Sequence, residues 1–481
     1  MTEQPFKAIT RLRKSGNLKE AWDLGVQAVK DNPNDQYIKG AMFWVCYAYI
    51  KSAQSKIAVR AATQNDEHTP SLSEIKEVEF YARCIEKLGV EPDEYNYRSL
   101  LLICQRNLQC FPNLILLLLK HSKKQVFGGA FGKLFLNEDK VPFDNGKGES
   151  PSLMLKFTRE VAKAWLTNEQ VRQIPIEELC DIISRTRAEV KDKQHLIWLD
   201  KDEADCLILA ENFEAARICV RAVLRKKSKE SWALALMART YVFEDKEAAI
   251  ALYCNALINA HDEKFALPVL KEIAPLLASK GSNAEASMCV KRAVNCYVEN
   301  GWNIKSDLEN LIHEPWYDAE TALTSLAPFL RENAKGAAEY VYGKKRELPA
   351  IVIGHFKSDN GFHAYISKSL MNVPIRINEF QSGSLPSIGD YIIVVLAAEE
   401  DTVIEVKRSG PVQIEGLKKI EGTLNIASGG FGFIENTFVP PNLIEPEMDG
   451  FPVRALTVWS FDALKKRHGR KAINIDICAT P

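Results

Sequence analysis

Small residues spaced seven apart recur through most of this chain, and they constrain its fold more than any other feature. The pairs are Ala21/Ala28, Ala215/Ala222, Ala249/Ala256 and Ala286/Ala293. Positions seven apart share one face of an α-helix. Small side chains there let a neighbouring helix approach closely. Each pair follows a turn-forming cluster: Gly16-Asn17, Glu211-Asn212-Phe213, Glu244-Asp245-Lys246 and Gly281-Ser282-Asn283. Ala215 and Ala249 lie 34 residues apart, and the next pair starts three residues later than that period, as one lengthened loop allows. The pattern predicts an α-helical solenoid, in which each hairpin buries its apolar face against the next.

Gly16-Asn17-Leu18-Lys19-Glu20-Ala21, with Ala28 and then Pro33-Asn34-Asp35, resembles the second helix of a tetratricopeptide repeat. Between the first pair and the later ones the periodicity is degenerate. Residues 43–50, 75–88 and 97–108 still carry apolar residues at helical spacing. The run from Glu138 to Gly148 mixes Gly, Pro and charge with no period and reads as an interruption. Ser150-Pro151-Ser152 reads as the next helix start. The expected organisation is a helical repeat region over 1–136, a Pro/Gly-rich interruption over 137–150, a tetratricopeptide-like solenoid over 151–330 and a linker over 331–348. The concave side of such a solenoid would take a protein or peptide.

Beyond residue 348 the period changes to that of strands. Gly429-Gly430-Phe431-Gly432-Phe433-Ile434 is followed after a short turn by Thr437-Phe438-Val439-Pro440-Pro441. Side chains alternate along a strand, so Phe431 and Phe433 share a face. The glycines leave the two rings uncovered. Exposed rings on a sheet are a platform for unpaired bases, worth roughly 1–3 kcal/mol per base. These residues, with the lead-in Gly422-Thr423-Leu424, resemble the paired nucleic-acid motifs of cold-shock domains, five-stranded OB barrels. Phe438-Val439-Pro440-Pro441 is closer to the cold-shock domain of the ribonuclease II family. The two prolines stand where free cold-shock proteins carry a His and an aromatic, and Gly429 stands where a lysine is usual. Both departures weaken the expected affinity.

A second β unit precedes this one. Ile351 to Phe356, then Asn360 to Ile366, then Ile388 to Leu396, parallel the order of the last unit. The expectation is an OB-like barrel over 349–410 and a cold-shock-like barrel over 418–478. The fold class is thus multidomain α + β, an α-helical solenoid followed by two small OB-type β-barrels. In the first barrel Phe362 and Tyr365 would be the counterparts of Phe431 and Phe433, brought to one face by a bulge. The predicted nucleic-acid-binding set is Phe431, Phe433, Phe438, Phe362 and Tyr365 for stacking. Lys465, Lys466, Arg467 and Arg470 would contact phosphates.

Composition limits the alternatives. The formal net charge is −1, so any polyanion must be held by local patches and stacking rather than by the whole field. Eleven cysteines occur without a C-x-x-C pair, which fits reduced, buried thiols in a cytoplasmic protein. No signal peptide opens the chain, and its longest greasy run, Leu114 to Leu119, is too short to span a bilayer. No phosphate-cradling loop, metalloprotease helix or nucleophile elbow appears, nor the aspartate cluster a ribonuclease needs. His355 and His363 lack acidic or Cys partners at metal spacing. The expectation is therefore no catalytic residue, no cofactor, no metal and no membrane partner.

The order of helices, interruption and tandem barrels is similar to the helical-repeat proteins of bacterial TOTE conflict systems. That resemblance rests on the Glu138–Ser152 and Gly422–Pro441 stretches. It implies a non-catalytic component of a defence locus that binds single-stranded nucleic acid, RNA more than DNA, beside separate effector enzymes. The competing expectation is a protein–protein scaffold whose barrels dock a partner through the Phe face.

Overall fold

The computed structural model describes residues 3–64, 69–90, 94–126, 134–358, 360–376, 384–397, 403–462 and 466–478, without the side chains of 63–64, 94 and 121–126. It divides into two compact units, Met1–Lys335 and Gly336–Pro481. The first is helical. Its helices are α1 (Pro5–Lys14), α2 (Leu18–Asp31), α3 (Gln36–Gln64), α4 (Leu72–Leu88), α5 (Glu94–Cys104), α6 (Pro112–Val126), α7 (Leu153–Thr167) and α8 (Ile176–Glu189). Next come α9 (Leu196–Leu209), α10 (Phe213–Leu224), α11 (Ser231–Arg239), α12 (Lys246–Ile258), α13 (Glu263–Ser279), α14 (Asn283–Glu299), α15 (Ser306–Ile312) and α16 (Ala327–Asn333).

The alanine pairs fall on α2, α10, α12 and α14, each packed against the helix before it. Ala21, Ala28, Ala249, Ala256, Ala286 and Ala293 are buried, while Ala215 and Ala222 are half-buried. The small residues thus sit where helices meet, as their spacing predicts. On α2 the same face carries Gly25, where a Cβ would run into the Met42 thioether of α3. Side-chain caps close several of these turns: Asn212 and Asp245 accept from the Ala215 and Ala248 amides.

The interruption at 137–150, across which the helices could also run on as one continuous solenoid, does not divide the core. One apolar cluster runs from Phe43 to Cys206 and takes residues from both sides. The Pro/Gly segment is a 3₁₀ turn (Asn137–Lys140) and a two-stranded ribbon of β1 (Phe143–Asp144) and β2 (Glu149–Ser150). It is tied down at both ends. Arg98 makes two hydrogen bonds to Asp139, of 2.9 and 2.8 Å, and Asp192 accepts from the Ser152 amide. Polar anchoring lets a turn-rich segment sit on a continuous core, which periodicity cannot reveal. The expected linker is likewise structured. Residues 337–342 form helix α17 (Ala337–Tyr342), and strand β3 has begun by Lys345.

The second unit is β-rich. Its strands β3 (Lys345–His355), β4 (Gly361–Tyr365), β5 (Val373–Arg376), β6 (Tyr391–Ala397) and β7 (Val403–Arg408) form an antiparallel sheet ordered β5-β4-β3-β6-β7. Among the described residues this sheet is open, so the expected closure of a first barrel is not seen in them. Strands β8 (Lys418–Ile426), β9 (Gly432–Ile434), β10 (Thr437–Val439), β11 (Pro452–Asp462) and β12 (Arg467–Ile477) do close, in the order β10-β12-β11-β8-β9. Every pairing in that barrel is antiparallel except β10 with β12. Its interior holds Leu424, Ile434, Val439, Val453, Ala455, Ala472 and Ile475.

A further apolar cluster joins sheet and barrel: Ile351 and Tyr365 from the sheet, Ile414 from the connection, Val458 and Ile473 from the barrel. The eleven cysteines are free thiols, and Cys289 and Cys296 are buried on α14. Among the described residues no helix is long and apolar enough to cross a membrane.

Candidate nucleic-acid interface

Cross-strand registration builds the site on the outer face of the barrel. Phe433 of β9 lies opposite Phe438 of β10, and Phe438 opposite Lys471 of β12. Partners in register point to the same side of a sheet, so the three side chains form one row. Phe431, one residue before β9, completes a triangle of rings. The centroids are 5.8 Å apart for Phe431–Phe433, 5.9 Å for Phe431–Phe438 and 6.0 Å for Phe433–Phe438. The contacts are edge-on or tilted, as aromatic quadrupoles prefer. Phe433 is 37% exposed, with Phe431 and Phe438 half-buried beside it.

The glycines have different reasons from the one their spacing suggests. Gly432 points into the barrel, where a Cβ would stand 2.9 Å from Leu424 Cδ1 and 3.1 Å from the Asn425 carbonyl oxygen. It is there because the interior has no room, and the outward rings follow from alternation. Gly430 takes φ +76° in the turn before β9, a conformation that favours glycine.

Facing the triangle is the β11–β12 hairpin. Phe461 is 50% exposed and packs on His468, its register partner, at 5.2 Å. Between hairpin and rings lies a cleft of about 580 Å³, lined by Phe431, Phe433, Asn436, Phe438, Phe461 and Lys471 among others. Lys466 and Arg467 stand exposed at the turn end of the hairpin, where Arg467 lies opposite Asp462. The arrangement offers apolar faces for flat rings and cations for an anionic backbone.

The predicted set separates. Phe431, Phe433, Phe438 and Arg467 line the cleft, and Lys466 stands exposed next to Arg467. Lys465 lies outside the described residues. Arg470 adjoins the cleft, but its guanidinium is engaged elsewhere: it donates to the Gly416 carbonyl at 3.1 Å and Thr457 Oγ1 at 3.0 Å, and lies 5.0 Å from the Trp459 ring. That corrects its assignment to phosphate. Phe362 and Tyr365 are both 0% exposed, which corrects their assignment to stacking. Phe362 packs inside the first sheet and Tyr365 in the junction with the barrel, where its hydroxyl donates to the Glu415 carbonyl at 3.0 Å. Burial raises the Tyr365 phenol above its ordinary pKa. The bulge that would align them is on β3, between Val352 and Gly354, not on β4.

Sequence reasoning left Lys471, Phe461, Asn436 and Ser460 out of the predicted set. Counting back from the hairpin turn would have paired Phe461 with His468. Lys471 could be found only from the parallel β10–β12 pairing. Among the described residues no group of three or more His, Cys, Asp or Glu side chains is placed to hold a metal ion.

Comparison with known families matches two parts of the chain. Residues 418–475 match the model for S1/CSD-like domain 2 of the TOTE conflict systems. Residues 197–337 match a domain of unknown function, DUF7017. No curated protein matches the chain. The closed barrel is therefore similar to an S1/cold-shock-like domain, in keeping with its OB-type strand order, and the link to conflict systems rests on that domain.

Proposed function

We propose that this protein binds single-stranded nucleic acid, RNA in preference to DNA, on the outer face of its closed barrel, and does so without catalysis. The observation that carries this reading is the ring triangle of Phe431, Phe433 and Phe438 in register with Lys471. Bases stack on rings irrespective of sequence, and cations track the backbone. The S1/CSD-like match supports the same reading and suggests a role in a bacterial conflict system. The paired helices α9/α10, α11/α12 and α13/α14 form a tetratricopeptide-like solenoid that takes a protein or peptide partner, such as an effector of the same system.

The test is fluorescence anisotropy of labelled single-stranded RNA, and its DNA equivalent, with the full chain. Wild type should bind RNA more tightly than DNA. Phe433→Ala should weaken binding by about 1–3 kcal/mol, roughly five- to 150-fold. A folded wild-type protein that fails to bind either strand at tens of micromolar would refute the reading and leave the ring face as a protein-docking surface.

A further inference from the structure

The helical unit holds a polar cleft whose charges are unmatched. Lys51, Gln54, Ser55 and Ala58 are spaced along α3 so that they share one face. That face meets the end of α5, where the chain turns and the Asn107 amide donates to the Cys104 carbonyl at 3.1 Å. Between them lies a cleft of about 360 Å³, to which α3 brings Lys51 and the turn brings Arg106 and Asn107. Among the described residues no Asp or Glu lines it.

Further along α3, Lys56 pairs with Glu77 and Arg60 with Glu74. Lys51 and Arg106 are exposed and, among the described residues, have no ion-pair partner. Glu160, which accepts from the Gln109 amide, is taken by Lys163 at 2.8 Å. The Arg106 charge reaches Lys156, which burial and then Arg106 hold below its ordinary pKa. Asn107 is 4% exposed, and its Oδ1 has no hydrogen-bond partner. A buried acceptor in that state is costly, and a ligand that donates to it removes the cost. Two unmatched cations fit a phosphomonoester, which carries about −1.5 to −2 at pH 7, better than a singly charged carboxylate. Arg offers such a group a two-pronged fork and Lys a point charge. Ile57 and Leu102 line the same cleft and give an organic body an apolar wall.

We infer that this cleft binds a small organic phosphomonoester. Lys51 and Arg106 take the phosphate, Asn107 accepts from a donor on the body, and Ile57 and Leu102 cover the body's apolar side. The volume is within the range of small-molecule sites. The site stands independently of the nucleic-acid reading of the barrel.

The experiment is titration calorimetry of the full chain at constant ionic strength, with uridine 5′-monophosphate, uridine and inorganic phosphate as probes. Wild type should bind the monophosphate most tightly, inorganic phosphate more weakly, and uridine not at all at millimolar concentration. Lys51→Gln and Arg106→Gln should each weaken the monophosphate roughly ten- to 150-fold, the loss of one charge-assisted hydrogen bond. Both side chains are exposed, so the melting temperature should hold. Asn107→Asp sets a carboxylate in the cleft and should abolish binding. Phe433→Ala, on the barrel, should leave binding unchanged, which separates this cleft from the ring face. No heat with the monophosphate, or uridine binding as well as its monophosphate, would overturn the site. So would binding that survives both Gln variants, or that is lost in Phe433→Ala. None of these outcomes involves an RNA strand, so the barrel reading stands or falls on its own test.

Discussion

Adjacent cations on β12 have different jobs in this structure, and exchanging each for alanine separates them. Lys471 stands in the row with Phe433 and Phe438, whereas the Arg470 guanidinium bridges Gly416 and Thr457. Each substitution removes one positive charge, so an argument from net charge predicts equal effects. The geometry predicts opposite ones. For single strands, log affinity falls with log salt by about 0.7 per phosphate neutralised. Lys471→Ala should lower that slope by about 0.7 and leave the melting temperature within a degree or so. Arg470→Ala leaves a carbonyl and a buried hydroxyl without their charged donor. Hydrogen bonds to charged groups are worth roughly 1.5–3 kcal/mol, and the half-buried guanidinium puts this site at the lower end. For a unit of this size the melting temperature should fall by about 3–6 °C, with the salt slope unchanged. Both bonds come from the one nitrogen Nη1, so Arg470→Lys, which keeps a charged donor, should lose less stability than Arg470→Ala. The assays are thermal denaturation and anisotropy titrations of a labelled RNA across a salt series. An Arg470→Ala variant that melts like wild type and loses the same slope as Lys471→Ala would refute the assignment.

Other expectations follow from burial. Phe362→Ala removes a fully buried ring from the first sheet and should destabilise by about 3–5 kcal/mol in chemical denaturation. Tyr365→Phe loses the hydroxyl's hydrogen bonds to the Glu415 carbonyl and the Trp459 backbone, about 1 kcal/mol each, and should leave RNA affinity unchanged; a large affinity loss would return Tyr365 to the binding face. On α9, Asp202 is held by Arg159 at 2.6 Å, and Asp202→Ala should cost about 2–4 kcal/mol, since the arginine keeps partial access to water. Glu74 gives a pH dependence. Burial alone would raise its carboxyl, but hydrogen bonds from the Ser71 amide and hydroxyl and from Arg60 outweigh it and hold the pKa below the usual range. A depressed carboxylate stabilises the fold above its unfolded pKa of about 4.3 and loses that contribution as pH falls through the folded value. Glu74→Gln should therefore melt below wild type at pH 7, and the gap should close toward pH 3.

What could be read in the sequence was whatever depends on local period. Alanines seven apart predicted where helices meet, because that spacing is a property of one helix. Alternation put Phe431 and Phe433 on one face, because two-residue period is a property of one strand. The errors lie where the answer depends on a second element. Phe362 and Tyr365 are three apart, so a regular strand sends them to opposite faces, and both faces of β4 are covered. Their aromatic character therefore reports packing, in the core and in the junction with the barrel. Arg470 and Lys471 are indistinguishable as a basic pair until β10 lies parallel to β12 and brings Lys471 to Phe438. Whether the Pro/Gly run at 137–150 separates two helical units or lies on one core could not be read from period, because it depends on Asp139 and Asp192 anchoring that run to other segments. Even Gly432 was explained by the wrong face. The same residue that keeps the interior free of a Cβ fixes the register that turns two rings outward, so core packing and the exposed platform are one constraint acting on opposite sides of β9. A Gly432→Ala variant would accordingly be expected to disturb binding through the fold, with affinity and melting temperature falling together, in contrast to Phe433→Ala, which should separate them.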